Sequence, residues 1–228
     1  FGLRGQASSV TRWNLGLFRA ENHDDILFVA DEQLGYGYFK NFGKTRRQGV
    51  EAGASTAIGA LSLALNYTFI DATYRSVESV GGAGNSTNSA GAGLEGSIAI
   101  HPGNRIPLIP RHLVKASADY RLTPALSLGA DMIAVSGAFA RGNENNQHQA
   151  DGSTYLGPGR SAGYALMNLG ARYDMSRGLQ LVGQINNLFD RQYATAAQLG
   201  ATAFSAGGSV VTRPFGQVGG DYPQVGST

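Results

Sequence analysis

The residues best suited to acid–base or metal chemistry are the four histidines, and their spacing forms no recognisable site. His23, His101, His112 and His148 include no i, i+4 pair of the helical zinc type, and none stands in an HExxH sequence. His101 and His112 flank one loop, but two histidines without further ligands are a weak metal site. We therefore expect no metal site and no resident cofactor.

Two segments resemble catalytic features but lack the context that catalysis needs. GPGRSAG (157–163) looks like a phosphate cradle, yet it has no GK[ST] ending and leads into a strand rather than a helix. His112 and Asp119 are the nearest approach to an acid–base pair, and nothing beside them organises a nucleophile or an oxyanion site. The sequence thus predicts that the protein is not an enzyme.

Anion binding is the chemistry that the loops favour. Residues 75–111 are rich in Gly, Ser and Asn, and residues 141–155 read RGNENNQHQADGSTY. Guanidinium groups bind oxyanions through paired N–H donors, and Tyr and His add hydrogen bonds or stacking. Plain solvation of polar loops explains the same composition, so these candidates rest on location and chemical type alone. The candidate ligand-binding residues are Arg105, Arg141, His148, Tyr155 and Arg160.

The composition argues against an ordinary soluble domain. Only 15% of the 228 residues are charged, whereas soluble domains usually have about a quarter. Glycine is abundant, with 33 residues, and the mean hydropathy of -0.15 is too low for a bundle of membrane helices. A formal charge of +2 without a basic patch excludes nucleic acid as a partner, and the absence of cysteine excludes disulfides. These features favour a β-barrel with a wet interior.

Alternation of apolar and polar residues predicts β-strands along most of the chain. In residues 61–69 the side chains of Leu61, Leu63 and Leu65 alternate with small or polar ones. Strands of about ten residues suit a tilted wall across a ~25 Å apolar band better than a soluble sheet. The predicted strands lie at 10–19, 26–30, 45–56, 61–69, 113–122, 126–140, 164–175 and 179–189.

The connections between these strands are predicted to alternate in length. Short turns are expected at 21–25, 57–59, 123–124 and 176–178, and long segments at 31–44, 74–111, 141–162 and 190–228. Bacterial barrels have short periplasmic turns and long outer loops. The first strand would then begin outside and the eighth would end outside, so we expect further strands before Phe1 and after Thr228.

The segment NNLFDRQYAT (186–195) resembles the penultimate-strand motif of TonB-dependent outer-membrane receptors, N-L-F-D-x-x-Y. Further segments agree in order: FKNFGKTRRQGVEAG (39–53), LNYTFIDATY (65–74), GNRIPLIPRH (103–112) and GYALMNLGARY (163–173). We expect the motif to be a structural anchor without a ligand role. Its residues are Asn187, Leu188, Phe189, Asp190 and Tyr193.

The resemblance implies an all-β fold, a transmembrane antiparallel β-barrel of which residues 1–228 form the C-terminal portion. Barrels of this family have 22 strands, and about eight are legible here. The plug domain, the TonB box and the closing strand are expected outside this chain. The implied function is TonB-energised uptake of a scarce nutrient, a ferric siderophore above others, across the bacterial outer membrane. TonB, the ferric chelate and membrane lipid are the implied partners.

Three alternatives stay open from the sequence. The chain could be a small self-contained outer-membrane barrel, either structural or enzymatic. A receptor of the same family could take cobalamin, haem or an oligosaccharide instead of a siderophore. A soluble carbohydrate-binding β protein would bury Leu61, Leu63 and Leu65 against a second sheet.

Overall fold

The computed structural model describes residues 1–31, 36–91, 96–152, 155–176, 178–200 and 221–222, and every element in these ranges is a strand. Among these residues no helix is long and apolar enough to span a membrane. The strands are β1 (Gly2–Gln6), β2 (Thr11–Asp31), β3 (Tyr36–Ile58), β4 (Leu61–Tyr74), β5 (Glu78–Gly81), β6 (Ser97–Ile100), β7 (His112–Arg121), β8 (Leu126–Val135), β9 (Ala138–Phe139), β10 (Arg160–Ser161), β11 (Tyr164–Ser176), β12 (Leu179–Ile185), β13 (Gln198–Leu199) and β14 (Asp221–Tyr222).

One antiparallel sheet contains eight of these strands in the order β1-β2-β3-β4-β7-β8-β11-β12. Each strand of the sheet pairs with its nearest sequence neighbours in it, as in a meander. Three two-stranded ladders, β5–β6, β9–β10 and β13–β14, lie outside the sheet. The described strands therefore form an open wall, in agreement with the predicted all-β antiparallel fold.

The predicted turn at 21–25 is wrong, and the predicted loop at 31–44 is wrong over residues 36–44; residues 32–35 lie outside the described residues. Strand β2 continues through 21–25, and β3 already begins at Tyr36. The irregularity that the sequence hints at is local: Asp24 has a φ of 53° and is skipped in the β2–β3 pairing. The hydrogen bonds of a continuous ladder, with ion pairs from Glu21 to Arg46 and Asp25 to Arg47, hold this stretch extended.

Strand β1 was not predicted, and it changes where the first short turn lies. The first short turn lies at 7–10 instead of 21–25, and the other three follow β3, β7 and β11 as expected. Merging two predicted strands into β2 and adding β1 leaves the number of wall strands at eight. Two strands are shorter than predicted, since β8 ends at Val135 and β12 at Ile185.

The two faces of the wall differ in chemistry in the register rows across its middle. One row of neighbouring partners is apolar apart from a tyrosine: Leu15, Ala52, Tyr67, Val114, Ala134 and Ala165. A row on the opposite face is mostly polar: Gln6, Arg12, Ser55, Ala64, Ser117, Asp131 and Asn168. We call these the apolar face and the polar face.

The apolar face is not covered by a second protein layer. Leu63 and Leu65 are 39% and 49% exposed, and Leu17, Ile58 and Ile185 are exposed as well. In a sandwich these side chains would be buried between two sheets. A large apolar surface on the outside of a sheet matches a wall that faces lipid.

A small hydrophobic core covers the polar face at one end of the wall. Ala72 and Tyr74, at the end of β4, are buried there with Val80, Ile98 and Ile106 from the segment that follows. Residues 103–106 continue this packing by pairing with the end of β4, since Ile106 N–H donates to Ala72 O and Tyr74 N–H to Asn104 O. The long segment between β4 and β7 therefore folds over the polar side.

Gly49 of β3 permits a close contact on the polar face. A Cβ there would lie 1.9 Å from the carbonyl oxygen of Phe69 and 2.8 Å from the ring of Phe18. The Phe18 ring thus fills the space that a side chain at position 49 would need. The backbone of β4 also lies close to Gly49.

We predict that Gly49→Ala destabilises the wall by about 1–3 kcal/mol, because the added carbon overlaps a backbone oxygen. The temperature at which the detergent-folded protein loses its gel mobility measures the change. The matched control is Gly170→Ala, where the nearest atom to a new Cβ is Gly183 O at 4.0 Å. Equal midpoints for the two variants would contradict the prediction.

Candidate functional site

Three loop segments above the wall are joined by asparagine side chains. Asn85 donates to Gly142 O at 2.8 Å, and Asn104 donates to Asn145 O at 2.9 Å. Asn146 donates to Arg105 O at 3.0 Å, and its Oδ1 accepts the N–H of Arg105. The segments 82–91, 101–110 and 141–149 therefore form one hydrogen-bonded unit, which we call the loop cap.

Asn145 is the central residue of the loop cap. Its Nδ2 donates to Thr87 Oγ1 at 2.7 Å, and its Oδ1 accepts from Asn85 Nδ2 at 3.3 Å and from the N–H of Gln147 at 3.2 Å. Asn side chains can satisfy backbone and side-chain groups at once because each has a donor and an acceptor. The cap is thus a polar core, in which buried groups are paired instead of being solvated.

Glu144 is the one fully buried carboxyl described in the loop cap. Its Oε1 accepts the N–H of Gly142 at 3.0 Å, whereas Oε2 has no hydrogen-bond partner among the described residues. Burial raises the pKa of Glu144 to about 7, and the Gly142 N–H and the nearby charge of Arg141 oppose this rise only in part. The carboxyl is therefore kept largely protonated below neutral pH.

His148 and Tyr155, two of the expected ligand residues, lie inside the loop cap. His148 Nδ1 accepts the N–H of Ser86 at 3.0 Å, and the rings of His148 and Tyr155 meet edge to face at 5.4 Å. Both residues are buried. Gly159 lies against His148 and Asn143 so closely that a Cβ would fall 2.7 Å from the imidazole. In this structure both side chains hold loops together.

Arg141 connects the loop cap to the end of strand β2. Its Cζ lies 4.5 Å from the ring centroid of Phe28, near the end of β2. Its backbone pairs with the 197–199 segment, since Arg141 N–H donates to Ala197 O and Leu199 N–H to Arg141 O. Arg141 is half-buried, and it keeps a guanidinium group at the junction of two loops and a strand end.

Arg105 and Arg160 come together on another surface. Their Cζ atoms lie 5.3 and 4.6 Å from the ring centroid of Phe139. Close by, Arg111 Nη2 donates to Asp71 Oδ1 at 3.0 Å. Burial lowers the pKa of Arg105, and the charges of Arg111 and Arg160 lower it further.

Backbone alternation shows which way this cluster faces. Asp71 alternates with the buried Ala72, Arg105 with the buried Ile106, and Phe139 with the buried Ala138 and Ala140. Because the buried neighbours point to the covered polar side, Asp71, Arg105 and Phe139 point to the opposite side. That side is continuous along β4 with Leu61, Leu63 and Leu65, so the cluster lies at the edge of the apolar face.

The segment after β12 forms a turn around Asn187. Asn187 has a φ of 50°, its Nδ2 donates to Arg191 O at 3.1 Å, and its Oδ1 accepts the N–H of Arg191 at 2.9 Å. The turn is attached to β11, because Asn187 N–H donates to Asn168 Oδ1 and Leu188 N–H to Met167 O. Tyr193 packs on Tyr164 with ring centroids 4.6 Å apart.

Two further members of this turn contribute to its shape and surface. Asp190 N–H donates to Asn187 O at 2.8 Å and closes the turn, while Phe189 is 71% exposed beyond the end of β12. Every contact described for Asn187 is within the protein fold. An anchoring role for the motif stays a prediction.

The family model for "TonB dependent receptor-like, beta-barrel" matches residues 1–188. The chain belongs to the TonB-dependent receptor family. Barrels of this family lie in the outer membrane of Gram-negative bacteria, and the family consists of receptors and transporters instead of enzymes.

Solved structures of TonB-dependent receptors share the fold at low identity. The closed form of the ferric-catecholate import receptor Fiu from E. coli K12 has a TM-score of 0.58 and 18% identity, over 86% of this chain and 24% of Fiu. The ferric citrate transporter FecA gives 0.57 and 21%, over 84% and 26%. The copper transporter OprC gives 0.56 and 19%, over 97% and 28%. This chain spans about a quarter of each of these proteins.

The assignment gives each face of the wall its environment. In a TonB-dependent receptor barrel the apolar face contacts lipid and the polar face lines the interior, so the loop cap lies over the interior and the Arg105–Phe139–Arg160 cluster on the outside. Sequence reasoning missed Arg111, Phe139, Glu144, Asn145 and Asn146. The asparagine-rich run at 143–146 could have indicated the cap, because asparagine side chains form hydrogen bonds to nearby backbone groups in loops.

We predict that the stability of the loop cap falls as pH rises. The folded-state pKa of Glu144, about 7, lies above the ordinary value of 4.5, so the stabilisation is complete below the ordinary value and is lost as pH rises through 7. Amide-exchange protection of residues 142–148, corrected for intrinsic rates, should decrease over this range. Glu144→Gln should flatten the dependence, whereas Glu51→Gln, on the wall, should not; an unchanged slope in Glu144→Gln would refute the assignment.

We predict that Asn187→Ala weakens the anchoring turn by about 2 kcal/mol, from two lost hydrogen bonds and a strained positive φ. Asn187→Gly relieves the φ strain but loses the same two bonds, so its loss should be smaller. Asn186→Ala is the neighbouring control. The yield of folded protein in the outer membrane and its thermal midpoint measure the effect, and equal behaviour of Asn187→Ala and Asn186→Ala would count against the anchoring role.

Proposed function

We propose that this chain is the C-terminal portion of the barrel of a receptor that imports a ferric chelate, a siderophore, by TonB-energised transport. Family membership supports transport of a scarce nutrient across the outer membrane. Two of the similar structures bind ferric chelates by their titles: a ferric-catecholate receptor and a ferric citrate transporter. We propose the same class of substrate, a ferric chelate, for this chain.

The observation that carries the proposal is a polar inner wall topped by a built polar cap. The wall presents Arg12, Asn14 and Asn66 beside a pocket of about 540 Å³ near Arg4 and Gln6. Beyond the wall, the loop cap contains amides and a histidine. A receptor needs such a mouth to hold a polar solute and a wet wall to pass it.

The polar wall also suggests the partners within the receptor. Lys115, Asp131 and Arg172 recur on it with amides between them. These side chains suit a folded domain with a polar surface, the plug that family receptors carry inside the barrel. We propose that the plug contacts this wall and that TonB acts through the plug, from parts of the receptor outside this chain.

Direct contact with the ligand stays a prediction for all five candidate residues: Arg105, Arg141, His148, Tyr155 and Arg160. Arg141 is the strongest of them, because it is half-buried and its guanidinium lies between a loop and the end of β2. Catecholate, hydroxamate and citrate chelates of iron are anionic or oxygen-rich, and arginine binds such groups through paired hydrogen bonds. His148 and Tyr155 would act by shaping the cap around the ligand.

One alternative ligand class has support of its own. The copper transporter OprC has a TM-score of 0.56 with this chain, so the same barrel portion serves a different nutrient. Within the described residues no cluster of three or more His, Asp or Glu side chains could hold a metal ion, which favours a chelate over a bare ion at this wall. Cobalamin, haem and oligosaccharides remain the other candidates for the test.

We expect the intact receptor to bind one class of ferric chelate more tightly than cobalamin, haem, glycans or copper in equilibrium titrations. Uptake of the labelled ligand by whole cells should require TonB. Arg141→Gln should weaken binding by about tenfold, the loss of one charge-assisted contact of 1.5 kcal/mol or more. Arg121→Gln, at the opposite end of the wall, is the matched control. Tight binding of a non-ferric nutrient alone would replace the proposed substrate.

A further inference from the structure

A buried polar junction joins the loop cap to the strands beneath it. The charge of Glu144 reaches the hydroxyl of Tyr74, at the end of β4. The charges of Asp25 on β2 and Arg47 on β3 act on the same hydroxyl. Glu144 and Tyr74 are each 2% exposed. One cap segment and three wall strands therefore meet around a single buried phenol.

The positive charge of this junction is already paired with another carboxylate. Arg47 Nη1 donates to Asp25 Oδ2 at 2.8 Å, and Thr45 Oγ1 donates to the same oxygen. On the cap side, Arg141 opposes the charge of Glu144, but Glu144 Oε2 has no hydrogen-bond partner in the described part of the chain. A second carboxylate charge at this buried place is disfavoured, whereas a protonated carboxyl is tolerated.

The other two segments of the loop cap supply no charge to compensate Glu144. Residues 82–91 include no titratable side chain, and His101 is exposed. Arg105 points to the opposite side of the sheet, as its buried neighbour Ile106 shows. Ionisation of Glu144 therefore acts against the closed form of the cap.

His148 is the other titratable residue inside the cap, and its effect has the opposite sign. Its Nδ1 accepts the N–H of Ser86, and Tyr155 packs edge to face on the ring. Protonation of that nitrogen would break the bond to Ser86 and loosen the cap in acid. Opening that increases with pH is therefore the signature of Glu144 and not of His148.

The same junction holds the upper part of the β2–β3 hairpin. The rings of Tyr74 and Phe42 pack with centroids 5.1 Å apart, and both residues lie in one core with Val29 and Ile98. Because Tyr74 belongs to this core and also faces Glu144, a movement of the cap that exposes Glu144 uncovers the core of the hairpin.

We propose that Glu144 is a proton-dependent latch that closes the loop cap and the upper β2–β3 hairpin over the barrel interior. With its proton, the carboxyl stays buried beside Tyr74. Without it, the charged carboxyl moves to solvent and the cap segments separate. The receptor then exchanges its nutrient faster in neutral than in mildly acidic medium. This effect on exchange rests on the proposed function, whereas the opening of the cap does not.

The direction and the pH range of opening follow from proton linkage. The pKa of the carboxyl is about 7 in the closed cap and takes its ordinary value of 4.5 once the cap is open. The closed form is therefore most favoured below the ordinary value, and its advantage is lost as pH rises through the higher one. Within this range one proton changes the opening equilibrium by at most about tenfold per pH unit.

The first experiment measures opening in the intact receptor, by the rate at which N-ethylmaleimide modifies one introduced cysteine. This chain has no cysteine of its own. Ala83→Cys probes the cap and Val29→Cys the hairpin, and both positions are buried. Ala150→Cys, at an exposed position, corrects for the reactivity of the thiol at each pH. Mass spectrometry of the modified peptide gives each rate.

Both corrected rates should rise together between about pH 5 and 7 and level off above this range. Glu144→Gln should keep both rates at their acid values, whereas Glu51→Gln, on the wall, should leave the rise unchanged. Glu144→Leu provides a second neutral side chain, and the profile with Glu144 in place needs no substitution there.

Three results would overturn the latch. Rates that do not rise with pH would show that ionisation of Glu144 leaves the cap closed. A rise that persists in both Glu144→Gln and Glu144→Leu would assign the opening to another group. A rise at position 83 without one at position 29 would contradict the joint opening of cap and hairpin.

The second experiment measures release of a bound ferric chelate from the intact receptor. Near neutral pH, release should be slower from Glu144→Gln than from the unsubstituted receptor, and in mild acid the two should agree because both side chains are neutral. Comparison at equal pH cancels protonation of the chelate itself. Equal release near neutral pH despite the expected labelling would contradict the gate over the interior. A receptor that binds no ferric chelate would refute the proposed function, and the labelling would still decide the latch.

Discussion

Backbone hydrogen bonding in a medium without water is the constraint on which this structure depends. Each N–H and C=O within the hydrocarbon must find its partner in a neighbouring strand, so the chain can cross only as a paired sheet. Pairing fixes the register, and register makes every second side chain face lipid. The apolar row from Leu15 to Ala165 and the polar row from Gln6 to Asn168 follow from that one requirement.

A different rule governs the structure beyond the wall. The loop cap buries polar groups, and it is stable because nearly all of them are paired across loops, with Asn145 and Asn146 at the junctions. Glu144 is the exception, a carboxyl placed where its charged form is disfavoured. Hydrophobic packing contributes the small core around Tyr74 and Ile98 and a second cluster of Ala140, Ala197 and Leu199.

The sequence predicted the strands in which apolar and polar side chains alternate. It did not predict the features that depend on contacts between residues far apart in the chain. Residues 61–69 and 113–122 alternate without interruption, and β4 and β7 lie there. Around Asp24 the alternation breaks, and charges suggest a turn; only the partner strand, with Arg46 and Arg47, shows that the chain stays extended. The cap could not be predicted either, since Asn85 and Asn145 lie 60 residues apart. Arg105 and Arg160 were found as candidates, but the side they face depends on buried neighbours.

The asparagine junctions of the cap restrict how such a receptor can acquire a new ligand. A loop that is bonded to two others cannot change length without breaking pairs in all three, so insertions near Asn104 or Asn145 would disturb the whole mouth. Exchanges at solvent-facing positions such as Gln147 and Gln149 leave those pairs intact. Divergence in this part of the barrel should therefore proceed by surface substitution on a fixed frame, and laboratory retargeting should start from the same positions.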